Sequence, residues 1–201
     1  MTTKKTQKIL LVATALLAAA FFTWTLAHAL WYAPELDLFV PAGHETYETV
    51  MTPEAMPLRL SVPSLNIDAK VQYVGVNAAG NMGVPNNFTD VAWYKYGPAP
   101  GMRGSAVIDG HVNNGLGLAG VFKRLGDLHV GDDVYVTRKG GDTKHFKVIA
   151  LETYNYKRVP VEEIFNRADG AYLNLITCEG NWVKGEKTYD QRLVVYTKLV
   201  G

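Results

Sequence analysis

Apolar and polar positions divide the chain into three stretches of different pattern. Residues 9–30 are almost continuously apolar and contain no Asp, Glu, Lys or Arg. A bilayer core needs about 20 such residues in a helix. Lys4, Lys5 and Lys8 precede the run, and Trp24, Trp31 and Tyr32 crowd its far end. Lysines favour the cytoplasmic side and aromatic rings the interface. The pattern predicts a cytoplasmic N-terminus over 1–8, a transmembrane helix over 9–31 and a domain outside the membrane. Ala27-His28-Ala29 also fits the cleavage site of a signal peptide, but the run exceeds the roughly 7–15 apolar residues of a signal core, so an uncleaved anchor is expected. Both readings export the domain.

Residues 32–57 carry Pro34, Pro41, Pro53 and Pro57, several acidic groups and little periodicity, which predicts an extracellular stalk. Nothing in these residues requires the stalk to fold over the domain. From Leu58 the period shortens to two. Strands are predicted over 58–62, 67–76, 91–94, 105–108, 133–138, 143–151, 172–177 and 193–199. Asn77-Ala78-Ala79-Gly80-Asn81 reads as a turn, and Lys139-Gly140-Gly141-Asp142 joins the best hairpin. Residues 161–167 allow one or two helical turns. About eight short strands, with no long helical period after the anchor, predict a mainly β domain over 58–201, a barrel or a sandwich.

Composition narrows the chemistry. The formal net charge is +1, which gives no electrostatic footprint for nucleic acid. Cys178 is the single cysteine. It can form no internal disulfide, so it is either a buried inert thiol or a reactive one. A cysteine nucleophile acts as its thiolate, which a neighbouring histidine or cation supplies. Of the histidines, His28 falls in the membrane segment, His44 in the stalk, His129 before a turn and His145 within a hairpin strand. His111 follows a buried-type strand and a glycine, where a strand gives way to a loop. Acyl transfer also needs a donor for the developing oxyanion. Arg192 stands just before the last apolar strand, and pairing of the last two strands would bring it near Cys178. Glu179 is a conflict, because a carboxylate beside a thiol raises its pKa.

Gly110-His111, then Leu175-Ile176-Thr177-Cys178, then Arg192-Leu193-Val194-Val195-Tyr196 together resemble the sortases, the membrane-anchored cysteine transpeptidases of Gram-positive surfaces. Residues 59–65, 93–101 and 105–111 look most like the class F branch, with class E close. The resemblance covers 58–201 and implies an eight-stranded sortase β-barrel with short helices and no cofactor. It implies that Cys178 attacks the Thr–Gly carbonyl of an LPXTG-like sorting signal, with His111 as proton shuttle and Arg192 as oxyanion donor. It also implies that Thr177, Val159, Pro160 and Val161 bind substrate. The partners it implies are surface proteins bearing sorting signals, an amine from wall peptide or a pilin lysine, and the membrane. Glu162 and Glu163 assemble no convincing acidic cluster, so calcium independence is expected. Two alternatives stand beside this reading. The Ser-His-Gly-Cys signature of the L,D-transpeptidases is missing around Cys178. A non-catalytic anchored β-domain would keep Cys178 as a small buried hydrophobe.

Overall fold

Strand alternation with β-branched and aromatic residues produces a barrel. The structure, a computed structural model, describes residues 4–31, 38, 40 and 52–200. The chain opens with α1 (Lys4–Trp31), 28 residues long. It begins ahead of the expected residue 9 because the lysines and glutamine before the apolar run are themselves good helix formers.

The strands are β1 (Pro57–Val62), β2 (Ile67–Val74), β3 (Val91–Tyr94), β4 (Gly104–Asp109), β5 (Asp133–Arg138), β6 (Thr143–Asn155), β7 (Ala171–Val183) and β8 (Thr188–Leu199), and a short α2 (Val161–Phe165) lies between β6 and β7. They close in the order β1-β2-β3-β4-β7-β8-β6-β5. The pairs β2·β3 and β4·β7 are parallel and all others antiparallel. The expected mainly β barrel with short helices and one N-terminal apolar helix is the fold observed.

Alternation gives each strand an interior face, and β3, β4, β7 and β8 carry a second apolar layer on the outside. Trp93, Ala106, Ile108, Val134, Val136, Phe146, Leu173, Leu175, Leu193 and Val195 fill the interior. On the outer face of β4, β7 and β8, Val107, Ile176, Cys178, Val194 and Tyr196 form a second cluster with Tyr94, Ile164, Phe165 and Met82. Every residue of β3 and β4 is therefore buried, as strands covered on both faces must be.

Leu38 and Val40 also belong to this outer cluster. The Val40 amide donates to the Gly80 carbonyl (3.1 Å), and the Met82 amide donates to the Leu38 carbonyl (2.9 Å). The segment read as a stalk thus touches the barrel at these two positions; most of its other residues lie outside the described ones. At its far end the Gly140 amide donates to the Glu54 carbonyl (2.9 Å), so contact with the barrel starts ahead of Leu58.

Three elements differ from the sequence pattern. The β7–β8 hairpin runs past the strand end expected at residue 177. Gly180, at φ 83°, makes a bulge beyond it, and pairing resumes at Trp182 opposite Tyr189. Arg192 consequently lies inside β8 rather than at its start. β6 continues to Asn155 because β8 lends it a partner along its polar end. The helix after Pro160 stops at Phe165.

Leu175 is fully buried at the centre of β7. Leu175→Ala is expected to cost about 2–5 kcal/mol in urea denaturation. A loss below about 1 kcal/mol would contradict its interior place.

Candidate active site

Parallel strands end at the same rim, and β4 and β7 use this to bring two distant segments together. Asp109 pairs with Ile176, and the Gly110 amide donates to the Ile176 carbonyl (3.2 Å). The Thr177 hydroxyl donates to the Gly110 carbonyl (2.7 Å), within the buried interior. Carried two residues beyond its last pair, this register sets His111 level with Cys178. β8 returns antiparallel with Arg192 directly opposite Cys178. His111, Cys178 and Arg192 so form one row across three adjacent chain segments, and all three are buried.

Each member of the row is held by its surroundings. His111 Nε2 lies 2.9 Å from the Pro85 carbonyl. A carbonyl only accepts, so Nε2 carries the proton and Nδ1 keeps its lone pair. Burial holds the imidazole below the ordinary histidine pKa, against the smaller opposite pull of that hydrogen bond. The loop after His111 returns against its backbone: the Phe122 amide donates to the His111 carbonyl (3.0 Å), and a Cβ on Gly120 would sit 2.2 Å from that oxygen. Only glycine permits the approach. Arg192 donates through Nη1 to the carbonyls of Tyr189 and Gln191, both at 2.8 Å, and through Nη2 to the Thr188 hydroxyl at 2.8 Å. Its Nε has no partner among the described residues. The guanidinium is fixed at one end and leaves a donor unused.

Sequence reasoning missed Asp109. It lies on the outer face with Cys178, and its Oδ2 has no partner. Burial pushes its carboxyl up to about 8, with Arg192 and the Gly110 amide acting in the opposite direction. The signal available was an Asp closing a short buried strand.

The other expected site residues are more dispersed. Thr177 is on the interior side of β7, opposite to Cys178, and its hydroxyl serves Gly110. In this geometry its hydroxyl holds the loop that carries His111. Glu179 shares that opposite side, and its Oε2 accepts from the Thr153 hydroxyl at 3.0 Å. The conflict between its carboxylate and the thiol is therefore removed by strand alternation. Val159 and Val161 are half-buried against the outer cluster that contains Cys178. Pro160 precedes α2 and accepts from the amides of Glu163 (3.0 Å) and Ile164 (3.1 Å). Among the described residues no three His, Cys, Asp or Glu side chains gather closely enough to hold a metal ion. A cavity of about 400 Å³ lies between Leu65–Ala69, Phe88 and the 119–124 loop, and its lining includes none of the row.

Comparison with known proteins agrees with this framework. The sortase domain profile matches residues 60–200. The chain belongs to the sortase family, and it is an enzyme of that cysteine transpeptidase class. No curated protein matches it in sequence. Among solved structures it is similar to a lid mutant of sortase A from Corynebacterium diphtheriae, at 21% identity over 73% of this chain and 70% of that one, with a TM-score of 0.56. It is also similar to sortase A from Listeria monocytogenes, at 20% identity over 73% and 88%, with a TM-score of 0.55. Sortase C from Clostridium perfringens with the C-terminal cell wall sorting motif matches at 20% identity over 74% and 72%, with a TM-score of 0.56. At these identities the likeness is one of fold.

Asp109 makes stability depend on pH. Unfolded, it ionises near its ordinary 3.8; folded, it keeps its proton to about 8. Between those values the folded chain holds the extra proton, so stability is lost as pH rises through this window. Asp109→Asn is expected to flatten that decline in denaturant titrations at pH 5 and pH 8. An unchanged difference between the two would contradict the assignment.

Proposed function

We propose that the protein is a membrane-anchored sortase of class F type that cleaves an LPXTG-like sorting signal between Thr and Gly and transfers the acyl group to an amine. The observation that carries this reading is the single row of Cys178, His111 and Arg192, with the thiol directly opposite the arginine. The sulfur of Cys178 attacks the threonine carbonyl carbon as its proton passes to His111 Nδ1. The carbonyl oxygen gains the negative charge and accepts from Arg192 Nε, the donor left unused at rest. Collapse breaks the C–N bond, and His111 gives its proton to the departing glycine amine. A thioester on Cys178 remains. An incoming amine attacks it, loses a proton to His111 and leaves with the acyl group; the same proton returns to the sulfur.

His111 suits this cycle because burial keeps it unprotonated at rest, ready to accept. Val159 and Val161 pack against the outer cluster, and with Pro160 between them they are assigned to the Leu-Pro part of the signal. The sorting motif named with the Clostridium perfringens enzyme supports the same substrate class here. Residues 1–8 are assigned to the cytoplasm, 9–31 to the bilayer and 32–57 to the connection with an extracellular catalytic domain at 58–201. Donors of the acyl group are surface proteins bearing the signal, and acceptors are wall peptide or a pilin lysine.

Mass spectrometry of the full chain in detergent micelles with an LPXTG-type peptide tests the chemistry. A thioacyl adduct on Cys178, discharged by added triglycine and absent in Cys178→Ala, is expected. No adduct across a panel of signal variants, with Cys178 also inert to iodoacetamide, would point to a non-catalytic surface domain. The discharge rate is expected to be the same in calcium and in EDTA; a severalfold rise with calcium would refute metal independence.

A further inference from the structure

The loop after His111 is bonded to the end of the apolar helix. Asn114 is buried, and its Nδ2 donates to the Leu30 carbonyl in the last turn of α1 at 2.9 Å. Its Oδ1 accepts from the amides of Leu116 and Leu118, both at 3.0 Å, which fixes the loop tip. Next to it, Asn113 Nδ2 donates to the Tyr189 hydroxyl at 2.5 Å. The Tyr189 ring meets Trp182 edge-on with centroids 5.3 Å apart. The end of α1, the loop and the tip of the β7–β8 hairpin are thus one connected surface at the active-site rim.

That surface is apolar and open. Leu116 is 48% exposed, Leu118 50% and Trp182 41%. Lys184 and Lys187 stand exposed at the hairpin turn beside it. Single exposed leucines are ordinary on a soluble surface, but several large apolar side chains joined to the end of a membrane-length helix are not. The apolar part of α1, Thr6–Leu30, has 25 residues. It is about 37 Å long at 1.5 Å per residue, against a hydrocarbon core of about 30 Å. Leu30, and with it Asn114, therefore stands at headgroup level. Tryptophan prefers that depth, and lysines beside it are attracted by anionic lipid.

We propose that the Leu116–Leu118 loop and the tip of the β7–β8 hairpin form a membrane-docking surface that seats the active-site rim on a phospholipid bilayer bearing anionic headgroups. The proposal rests on α1 being a membrane span. It places the entrance to Cys178 beside the lipid surface, so a membrane-held substrate reaches the thiol by moving in the plane of the bilayer.

The test uses the full chain reconstituted in phosphatidylcholine–phosphatidylglycerol vesicles whose acyl chains are brominated close to the headgroup. Subtracting the emission of Trp182→Phe from that of the wild type isolates Trp182, and Trp24, within α1, reports insertion. Quenching of Trp182 by the brominated lipid, relieved in the double variant Leu116→Asp, Leu118→Asp, is the expected result. Trp182 quenched by aqueous acrylamide and not by lipid would overturn the proposal, because the hairpin would then face water. Protection from both quenchers would overturn it too, by showing that protein covers the patch. Quenched Trp24 with unquenched Trp182 removes the docking surface alone. An unquenched Trp24 removes the anchor, and the docking surface with it.

Discussion

The parallel pairing of β4 with β7, in the register that sets Asp109 opposite Ile176, is the constraint on which the rest of the molecule depends. Parallel strands finish at one rim, so the chain ends of both deliver their next residues to the same place. A slip of one residue would send Cys178 into the interior and bring Glu179 to the outer face. Two interactions hold the register beyond the strand itself, the Gly110–Ile176 backbone bond and the Thr177 hydroxyl on the Gly110 carbonyl. The interior packing of Leu173, Leu175 and Ile108 supplies the rest, because period two leaves these side chains no other apolar environment.

The outer face carries a different kind of order. Its apolar cluster excludes water from the row, which strengthens every charge–dipole interaction there. The cost is visible in the polar atoms left within it. Asp109 Oδ2 and Arg192 Nε both lie buried with no partner among the described residues. Buried donors and acceptors in folded proteins are ordinarily paired, so these two atoms depart from the rule. Leu38 and Val40 add to the same enclosure from the far side of the chain.

Much of this was legible in the sequence where alternation was strong. β1, β5 and the β5–β6 hairpin stand close to their predicted ends, because short alternating runs bounded by Gly or Pro leave few other readings, and β3 does so as a short run buried on both faces. The row itself was legible through three short motifs in their order along the chain. What stayed hidden was set by tertiary pairing. The strand predicted over 172–177 runs on to Val183, because β8 offers it a partner past a bulge at Gly180. Strand parity puts the Thr177 hydroxyl on Gly110, a bond that only the β4–β7 pairing creates. Leu38 and Val40 sit among prolines and show no period of their own, since a pair of residues seated on an existing surface needs none. Asn113 and Asn114 read as flexible loop; their side chains instead tie that loop to β8 and to α1.

The closed strand order has a consequence for the newly made chain. β7 and β8 are synthesised after the other six strands, yet they stand between β4 and β6 in the barrel. Until the β7–β8 hairpin arrives, β4 and β6 present open edges, the kind of surface that templates aggregation. The hairpin is local and forms readily, but inserting it closes contacts between strands far apart in the sequence, which is slow. Thiol and arginine thus meet first, within the hairpin, and the histidine joins them only as the barrel shuts. A stalled or shortened chain is therefore adhesive, and the row is completed only as the last exposed edge disappears.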